Sequence, residues 1–342
     1  MNRIFAATLL SLLCLNGCTM DHLYYASSDT ATVLVQPNWE NAGLEPNGVT
    51  VFAYRDSDGS LYRRFPPVSA SEKCYIKLPE GDFSLVVMND TPEEFGGNMV
   101  FTGEENISTF QARGVKDENK SSKLEAHLEG KSSSEGSDYC IVDPSPLALA
   151  VVRGIHISPE QIDYYYDRPQ NDINAAQAIE VKTEQRNVIS TVSIKAHVKG
   201  LKYARGPTLC YLRGVAAGHC MGLGVNSPDA AAQGFSLNNR AFDPGSDSDG
   251  TIRASIPSFG LLGDGKGDDK YYLDINFVLI NGESYPLTFD VTELLSVDVS
   301  LSLQLSLSVD LEIELPEVVG EEGGGFNTDI SDWIDETVDI PM

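Results

Sequence analysis

The last third of the chain contains one long stretch in which aliphatic and polar residues alternate strictly. Between residues 297 and 315 every odd position is aliphatic, and every even position is Ser, Asp, Gln or Glu. A helix would spread the aliphatic side chains around its circumference, whereas a β-strand places them all on one face. The pattern therefore predicts β-strand, with an apolar face that consists of Val297, Val299, Leu301, Leu303, Leu305, Leu307, Val309, Leu311, Ile313 and Leu315.

As a single strand, this stretch would be about 60 Å long, about three times the length of an ordinary strand. One sandwich domain cannot flank it over that length. The stretch must therefore bend at a bulge, fold into two strands or extend beyond its own domain. Two interpretations stay open: two successive core strands joined by a kink, or a donor strand that pairs with another subunit, which would protect an otherwise aggregation-prone edge.

Shorter alternating runs fill most of the remaining chain. They are separated by clusters of Gly, Pro, Asn and Asp, which favour tight turns between antiparallel neighbours. Residues 103–138 are instead rich in Lys, Glu, Ser and Gly, and they predict a surface excursion with a short helical turn near residues 124–128. Strands are predicted at residues 32–36, 49–54, 74–78, 83–88, 147–152, 178–184, 188–198, 208–216, 251–256, 271–280 and 285–291.

This succession of strands predicts an all-β fold with two β-sandwich domains, since 342 residues are enough for two hydrophobic cores. We place the N-terminal domain at residues 29–170. The C-terminal domain, which contains the long alternating stretch, is placed at residues 171–342. The polar segment 18–28 follows no period and is interpreted as a tether.

Residues 1–17 are interpreted as an export signal peptide. A basic start at Arg3 precedes an apolar run over residues 4–15, which as a helix would be about 18 Å long and too short for a hydrocarbon core of about 30 Å. The segment closes with Gly17 and Cys18, a small residue directly before a cysteine. This pattern resembles the lipobox of bacterial lipoproteins. The resemblance implies cleavage before Cys18 and acylation of Cys18 by fatty acids such as palmitate.

Acylation of Cys18 would hold the protein on the outer membrane, because three acyl chains bind a bilayer stably where a single chain is marginal. The membrane would be a partner through this lipid alone, since no other apolar run reaches eighteen residues. The alternative is plain secretion with Cys18 as an ordinary thiol. Cys14 is a weaker candidate for the lipid, because the bulky Leu13 precedes it.

The chain is strongly acidic, with 50 Asp and Glu residues against 24 Lys and Arg residues and a formal charge of −26. Nucleic acid would be repelled and is therefore excluded as an ordinary partner. From residue 271 onward there are sixteen acidic residues and no Lys, Arg or His. We interpret this region as a solvated acidic face, with capture of divalent cations or docking on a basic partner as the alternative.

No pattern in the sequence predicts catalysis or a bound cofactor. The chain lacks a Gly-x-Ser-x-Gly elbow, a phosphate-binding loop and a dinucleotide fingerprint, and its five histidines have no metal-ligand spacing. Two Asp-Ser-Asp-Gly turns, at residues 56–59 and 247–250, resemble part of a calcium loop but lack its full set of ligands. We therefore predict that the protein is not an enzyme and holds no metal or cofactor.

Four cysteines lie beyond the lipobox. Outside the cytoplasm two disulfides are allowed, and one arrangement would join Cys74 to Cys140 in the first domain and Cys210 to Cys220 between neighbouring strands. The alternative is four buried free thiols, since an isolated cysteine behaves as a small apolar residue.

The lipobox occurs together with several short segments that are typical of one group of exported proteins, at residues 48–54, 78–83, 289–292, 315–317, 325–327 and 332–333. In these features the mature chain resembles a family of Bacteroides lipoproteins of unknown function. More distantly it resembles the fimbrillin-like anchor, accessory and tip subunits of type V pili. The resemblance implies transthyretin-like β-sandwich domains and assembly with other fimbrial subunits by strand exchange.

The sequence departs from polymerising pilins because it has no clear arginine processing site, with Arg113 and Arg153 as the candidates. This departure favours an anchor or accessory role. We therefore predict a lipid-anchored cell-surface protein, a fimbrial anchor or accessory subunit or an adhesin-like subunit. The alternative is a surface lipoprotein that captures glycans or nutrients, for which Trp39 and the tyrosines at residues 164–166 would be the exposed aromatics.

Overall fold

The computed structural model describes residues 29–70, 72–128, 139–166, 178–205, 208–237, 239–265, 268–298 and 306–319. Within these residues the chain forms five β-sheets, two α-helices and two short 3-10 turns, Pro92–Phe95 and Leu201–Tyr203. None of the helices in this part of the chain is long and apolar enough to cross a membrane.

The first half of the described chain contains twelve strands and both helices, numbered here in chain order. The strands are β1 (Ala31–Asn38), β2 (Gly48–Arg55), β3 (Leu61–Arg64), β4 (Val68–Ser69), β5 (Cys74–Leu78), β6 (Gly81–Asn89), β7 (Met99–Thr102), β8 (Gln111–Gly114), β9 (Cys140–Ile141), β10 (Ala148–Ile157), β11 (Ile179–Glu184) and β12 (Arg186–Asn187). The helices are α1 (Glu118–Leu128) and α2 (Pro159–Tyr166).

The second half contains eleven strands in its described residues. They are β13 (Ser190–Lys199), β14 (Thr208–Ala216), β15 (Gly218–Cys220), β16 (Val225–Asn226), β17 (Ala230–Leu237), β18 (Asn239–Phe242), β19 (Gly250–Ser258), β20 (Tyr272–Val278), β21 (Ser284–Asp290), β22 (Ser296–Asp298) and β23 (Ser306–Glu314). The predicted all-β fold is confirmed, and every run predicted as a strand overlaps one of these strands.

The first sandwich packs a three-stranded sheet, in the order β11-β1-β5, against a larger sheet in the order β12-β10-β6-β2-β3. Alternate residues of each strand point between the two sheets. Val33, Val51, Ile76 and Leu85 lie there and are at most 1% exposed. Each such side chain contributes about 1.5–3 kcal/mol through its removal from water, so the alternation read from the sequence is what holds the two layers together.

The middle strands of the larger sheet are buried on both faces. In β2, all residues from 49 to 54 are buried, which explains why this strand is an almost continuous apolar run. The second face, which includes Phe52 and Met88, packs with Phe110 in another core. A four-stranded sheet, in the order β16-β15-β8-β7, contributes to that core and joins strands from both halves of the chain.

The glycine-rich segment at residues 214–224 lies where this four-stranded sheet approaches its neighbours. A Cβ atom at Gly218 would be 2.3 Å from the carbonyl oxygen of Ala112 on the paired strand β8. At Gly222 it would be 2.0 Å from the carbonyl oxygen of Ile107. Both distances are far below van der Waals contact, so these positions require glycine for packing.

The second sandwich packs a sheet in the order β18-β19-β13-β23-β22 against one in the order β21-β20-β14-β17-β9. Strand β17 contacts β19 across the interface. The order of the strands therefore places β20 over β23, and β21 on the same side of the sandwich as β22. Between the sheets lie Ile194, Leu212, Ile275 and Val309, each at most 1% exposed.

The structure places the change from the first sandwich to the second later than the predicted boundary near residue 170. Strand β11 was assigned to the C-terminal domain, but it pairs in parallel with β1, from Val33 opposite Ile179 to Asn38 opposite Glu184. Strand β12 also pairs with β10 of the first sandwich. An alternating strand shows which face is apolar but not which sheet it joins, so the sequence pattern could not locate this boundary.

The excursion predicted at residues 103–138, which lies between strands of the first sandwich in the sequence, contributes to the second sandwich. Asp117 caps helix α1 by accepting a hydrogen bond from the Lys120 amide at 2.9 Å. The helix is eleven residues long, longer than the turn predicted near residues 124–128, and its buried Leu124 and Leu128 pack with Tyr211 on the outer face of the second sandwich. Strand β9 then pairs in parallel with β17. These contacts connect the two halves of the chain.

Candidate functional site

The long alternating stretch is divided between two strands in the structure. Strand β22 pairs antiparallel with the start of β23, so that Val297 lies opposite Leu307 and Asp298 lies opposite Ser306. The described parts of this stretch therefore form two strands of one sheet. Of the predicted apolar face, Val299, Leu301, Leu303 and Leu305 lie outside the described residues.

Strand β23 is an inner strand of its own sheet. It runs parallel to β13, in register from Thr191 opposite Ser306 to Lys199 opposite Glu314. The side chains that point inward are buried in the core of the second sandwich, namely Val309, Leu311, Ile313 and Leu315. These four of the ten residues of the predicted apolar face are thus used within the chain.

The outer face of β23 carries a row of acidic residues, Asp310, Glu312 and Glu314, all of them exposed. Their neighbours on β13 are basic: the register places Lys195 opposite Asp310 and His197 opposite Glu312. The Lys195 Nζ is 3.8 Å from Asp310 Oδ1. One side of the acidic row is therefore balanced by positive charge from the paired strand.

His197 lies between two carboxylates on this face. Its Nε2 is 2.7 Å from Oδ2 of Asp243, and its Nδ1 is 2.9 Å from Oε2 of Glu312. The hydrogen bond with Asp243 and then that with Glu312 raise the pKa of His197 above its ordinary value. Both ring nitrogens are engaged. His197 on β13 therefore connects Glu312 of β23 with Asp243 in the loop that follows β18.

The edge of β23 that faces away from β13 is only partly covered. Strand β22 has three residues and pairs with residues 306–308. Beside residues 310–314, none of the other described residues forms a strand partner on this edge. We call the side of residues 310–314 that faces away from β13, which has no strand partner among the described residues, the open edge. A row of unpaired amide and carbonyl groups is a template for another strand.

Two interpretations were open for Cys74, Cys140, Cys210 and Cys220, and in the structure all four are free and buried. Cys74 belongs to the sheet of β1, Cys210 to the sheet of β14, and Cys140 joins the latter through β9. Burial raises the pKa of Cys74 to about 11, and burial is likewise the main cause that raises the pKa of Cys140 to about 12. The alternative of buried thiols, weighed from the sequence, describes the structure.

A buried charged cluster beneath α1 was missed by the sequence analysis. The fully buried Asp274 accepts hydrogen bonds from Arg213 Nε at 2.5 Å and from Thr288 Oγ1 at 2.6 Å. His127 Nε2 of α1 lies 3.5 Å from its Oδ1. Burial raises the pKa of Asp274, but the hydrogen bonds of His127, Arg213 and Thr288 outweigh this effect and lower the pKa to about 2. The signal in the sequence was a single charged residue within each of two apolar strands, Arg213 in β14 and Asp274 in β20.

The other predicted site residues lie apart from the open edge or outside the described chain. Cys18 is outside the described residues. Trp39 packs partly buried against the first core, and nothing is described of the tyrosine side chains at residues 164–166. The Asp-Ser-Asp-Gly segment at residues 56–59 is a turn in which Asp58 accepts hydrogen bonds from Ser60. Among the residues that the structure describes, no group of acidic, histidine or cysteine side chains could hold a metal ion.

The chain matches one family model and shares its fold with solved structures. The model of a family described as a domain of unknown function, DUF5119, matches residues 17–235. A proposed adhesin from Bacteroides ovatus is 18% identical, with a TM-score of 0.55, and the match covers 86% of this chain and 94% of that chain. This likeness shows that the two proteins have the same fold over almost their whole length.

Two further structures match with lower scores. The fimbrial anchor protein Mfa2 from Porphyromonas gingivalis is 14% identical, with a TM-score of 0.47, over 83% of this chain and 90% of that chain. A proposed adhesin from Bacteroides thetaiotaomicron is 10% identical, with a TM-score of 0.46, over 83% of this chain and 92% of that chain. None of the curated proteins matches the chain in sequence.

Proposed function

This chain belongs to the DUF5119 family, and we propose that it is a lipid-anchored cell-surface protein that acts in adhesion or in the assembly of a fimbria. The observation that carries the proposal is the common fold with the proposed adhesin from Bacteroides ovatus, which extends over both sandwiches. The two sandwiches supply several strand edges, and strand edges are a common means of joining extracellular proteins.

Lipid attachment at Cys18 is the proposed means of anchoring. It is supported by the short apolar run at residues 4–15 and by Gly17 directly before the cysteine. The segment 18–28 would separate the bilayer from the first sandwich, whose first strand begins at Ala31. Several acyl chains on one residue bind a bilayer far more stably than a single chain does, so no membrane-spanning segment is required for the proposed location in the outer membrane.

Strand-mediated contact is the proposed means of assembly, with another fimbrial subunit as the partner. The open edge at residues 310–314 supports it, because its backbone groups can continue the sheet with a strand from another protein. Trp39 lends no support to the alternative of glycan capture, since it packs against the first core instead of forming an exposed platform.

A binding role without catalysis is part of the same proposal. In the two charged clusters described above, the side chains bond to one another. Asp274 is bonded to Arg213, and His197 is bonded to Asp243 and Glu312. Groups that are fully engaged in this way stabilise the fold and are poorly placed to act on a substrate.

The anchor is tested by replacing Cys18 with Ala and separating the membrane and soluble fractions of cells that export the protein. We expect the wild type and the matched variant Cys14→Ala to stay with the outer membrane, and Cys18→Ala to move to the soluble fraction. Co-sedimentation of Cys18→Ala with membranes would reject lipid anchoring.

The adhesive role is tested with a strain that lacks the protein. We expect fewer surface fimbriae or weaker attachment to a solid surface or to other cells, and restoration of both by the wild-type chain. Normal fimbriation together with normal attachment would reject the proposed function.

A further inference from the structure

Among its described residues, the second sandwich has no strand beside residues 310–314 on the edge of β23 that faces away from β13, and the opposite sheet shows the consequence. On β20, which lies over β23, the inward side chains Leu273, Ile275 and Phe277 are at most 1% exposed. On β21, which lies on the same side as β22, the three inward side chains are only half-buried. These are Tyr285, Leu287 and Phe289, and all of them pack against the second core.

The half-buried side chains lie level with the open edge. The chain pairs Ala204 with Leu279, which brings the C-terminal ends of β13 and β20 together. Because β23 runs parallel to β13 and β21 runs antiparallel to β20, Glu314 and Ser284 lie at the same end of the sandwich. A strand beside residues 310–314 would therefore cover Tyr285, Leu287 and Phe289 with its own inward side chains.

The charge along the open edge selects the outward side chains of such a strand. Asp310, Glu312 and Glu314 are exposed, and β13 provides basic neighbours on one side only. On the side of the open edge, no described strand supplies a base. Opposite charges on neighbouring strands stabilise a sheet, and like charges destabilise it.

The chain's own C-terminal segment, residues 320–342, has the wrong charge for this position. It contains seven acidic residues and no Lys, Arg or His. If it lay beside β23, it would add acidic side chains to an acidic row. A segment with apolar and basic residues at alternate positions would instead meet all three requirements. Its backbone would pair with the open edge, its apolar side chains would cover the half-buried residues of β21, and its basic side chains would balance the acidic row.

We propose that the open edge of β23 binds an extended segment of a partner protein in which apolar and basic residues alternate. The apolar residues point inward against Tyr285, Leu287 and Phe289. The basic residues point outward beside Asp310, Glu312 and Glu314. The inference rests on the proposed role in strand-mediated assembly, and it names the chemistry of the segment that is bound.

The test uses the purified full chain and three eight-residue fluorescent peptides. One alternates Val and Lys, the second alternates Val and Glu, and the third contains four Val followed by four Lys. We expect fluorescence anisotropy to show at least tenfold tighter binding of the alternating Val-Lys peptide than of either other peptide, and hydrogen exchange to show new protection of the amides at residues 310–314. Equal binding of the two lysine peptides, or protection elsewhere, would overturn the proposal.

Reversal of charges at the open edge tests whether the peptide binds there. Asp310→Lys with Glu314→Lys leaves the His197–Glu312 contact in place and should reverse the preference in favour of the Val-Glu peptide. The matched control is Glu45→Lys with Glu80→Lys, which changes the net charge equally at exposed positions of the first sandwich and should keep the wild-type preference. Equal loss of binding in both double variants would show attraction by bulk charge and would overturn the proposal.

Two further outcomes would name a different occupant and also overturn the proposal. If the peptide binds only after deletion of residues 320–342, the chain's own C-terminal segment occupies the edge. If the purified chain sediments as a dimer that Asp310→Lys with Glu314→Lys dissociates, a second copy occupies it.

The peptide result is independent of the proposed function. If the purified chain fails to bind the peptide but the strain without the protein still loses attachment, this inference alone is rejected. If the purified chain binds the peptide but the strain without the protein assembles fimbriae and attaches normally, the proposed function alone is rejected.

Discussion

His197 and Glu312 face each other on the parallel strands β13 and β23, with the imidazole Nδ1 2.9 Å from the carboxylate Oε2. The other ring nitrogen lies 2.7 Å from Oδ2 of Asp243. A neutral imidazole donates from only one nitrogen, so both carboxylates are satisfied only when the ring is protonated. The contact therefore stabilises β23 within its sheet in a pH-dependent way.

Replacement of His197 should reduce stability more at low pH than at high pH. The pKa of His197 is raised in the folded chain, so its ion pairs contribute fully below the unfolded value of about 6.5. Their contribution is lost as the pH rises through the raised folded pKa. We expect His197→Gln to lower the free energy of unfolding by about 0.5–1 kcal/mol at pH 5.5 and by less at pH 9, as measured by chemical denaturation.

The control for this effect is His156→Gln, at an exposed histidine that contacts a single carboxylate, Asp82. It should change stability less than His197→Gln at pH 5.5. A cost of His197→Gln that is the same at both pH values would contradict the ion-pair explanation.

Removal of Arg213 should be strongly destabilising, because Asp274 would then be a buried charge without its main partner. We expect Arg213→Met to lower the free energy of unfolding by about 3–5 kcal/mol in urea denaturation at pH 7. The double variant with Asp274→Leu removes both charges and should recover much of this loss. A double variant less stable than Arg213→Met would show that the apolar pair cannot replace the cluster.

Helix α1 should depend strongly on Leu124, the more deeply buried of its two core leucines. Leu124 is fully buried between the helix and the second sandwich, so Leu124→Ala should cost about 2–5 kcal/mol in thermal or chemical unfolding. The neighbouring Glu125 is exposed, and Glu125→Ala should stay within about 0.5 kcal/mol of the wild type. Equal effects of the two variants would mean that the helix contributes little to the fold.

The four buried thiols should be unreactive in the native protein. Burial raises the pKa of each of them, so little thiolate is present near neutral pH, and access is blocked as well. We expect a thiol reagent to label almost none of them in the native Cys18→Ala chain without its signal, and all four after denaturation without reductant. Fewer than four labelled thiols after denaturation would indicate a disulfide.

Individual strands were predictable because their evidence is local. Strand β5 was predicted with the bounds that the structure shows, since its residues alternate strictly between buried and exposed. The length of α1 was underestimated, because its exposed face is polar and only Leu124 and Leu128 mark the buried one. The charged cluster was missed, because Arg213 and Asp274 are 61 residues apart and meet only after β14 and β20 pair.

The candidate site was predicted in part. The alternation identified the apolar face of residues 297–315, and Val309, Leu311, Ile313 and Leu315 are indeed buried on one side of β23 or at its end. The alternation continues from β22 to β23 without a break, so nothing in it marks the division into two strands. The open edge was likewise invisible, because it depends on how few residues of β22 pair with β23.

For this chain, the order of residues was sufficient to establish an all-β protein, its apolar faces and its acidic surface. A strand sends successive side chains to opposite faces, so this information lies within a few neighbouring residues. The partners of each strand had to come from the folded chain. Hydrogen bonds between strands join residues that are far apart, as when Val33 pairs with Ile179. Only the pairing of β22 with residues 306–308 leaves residues 310–314 without a described partner on that edge of β23.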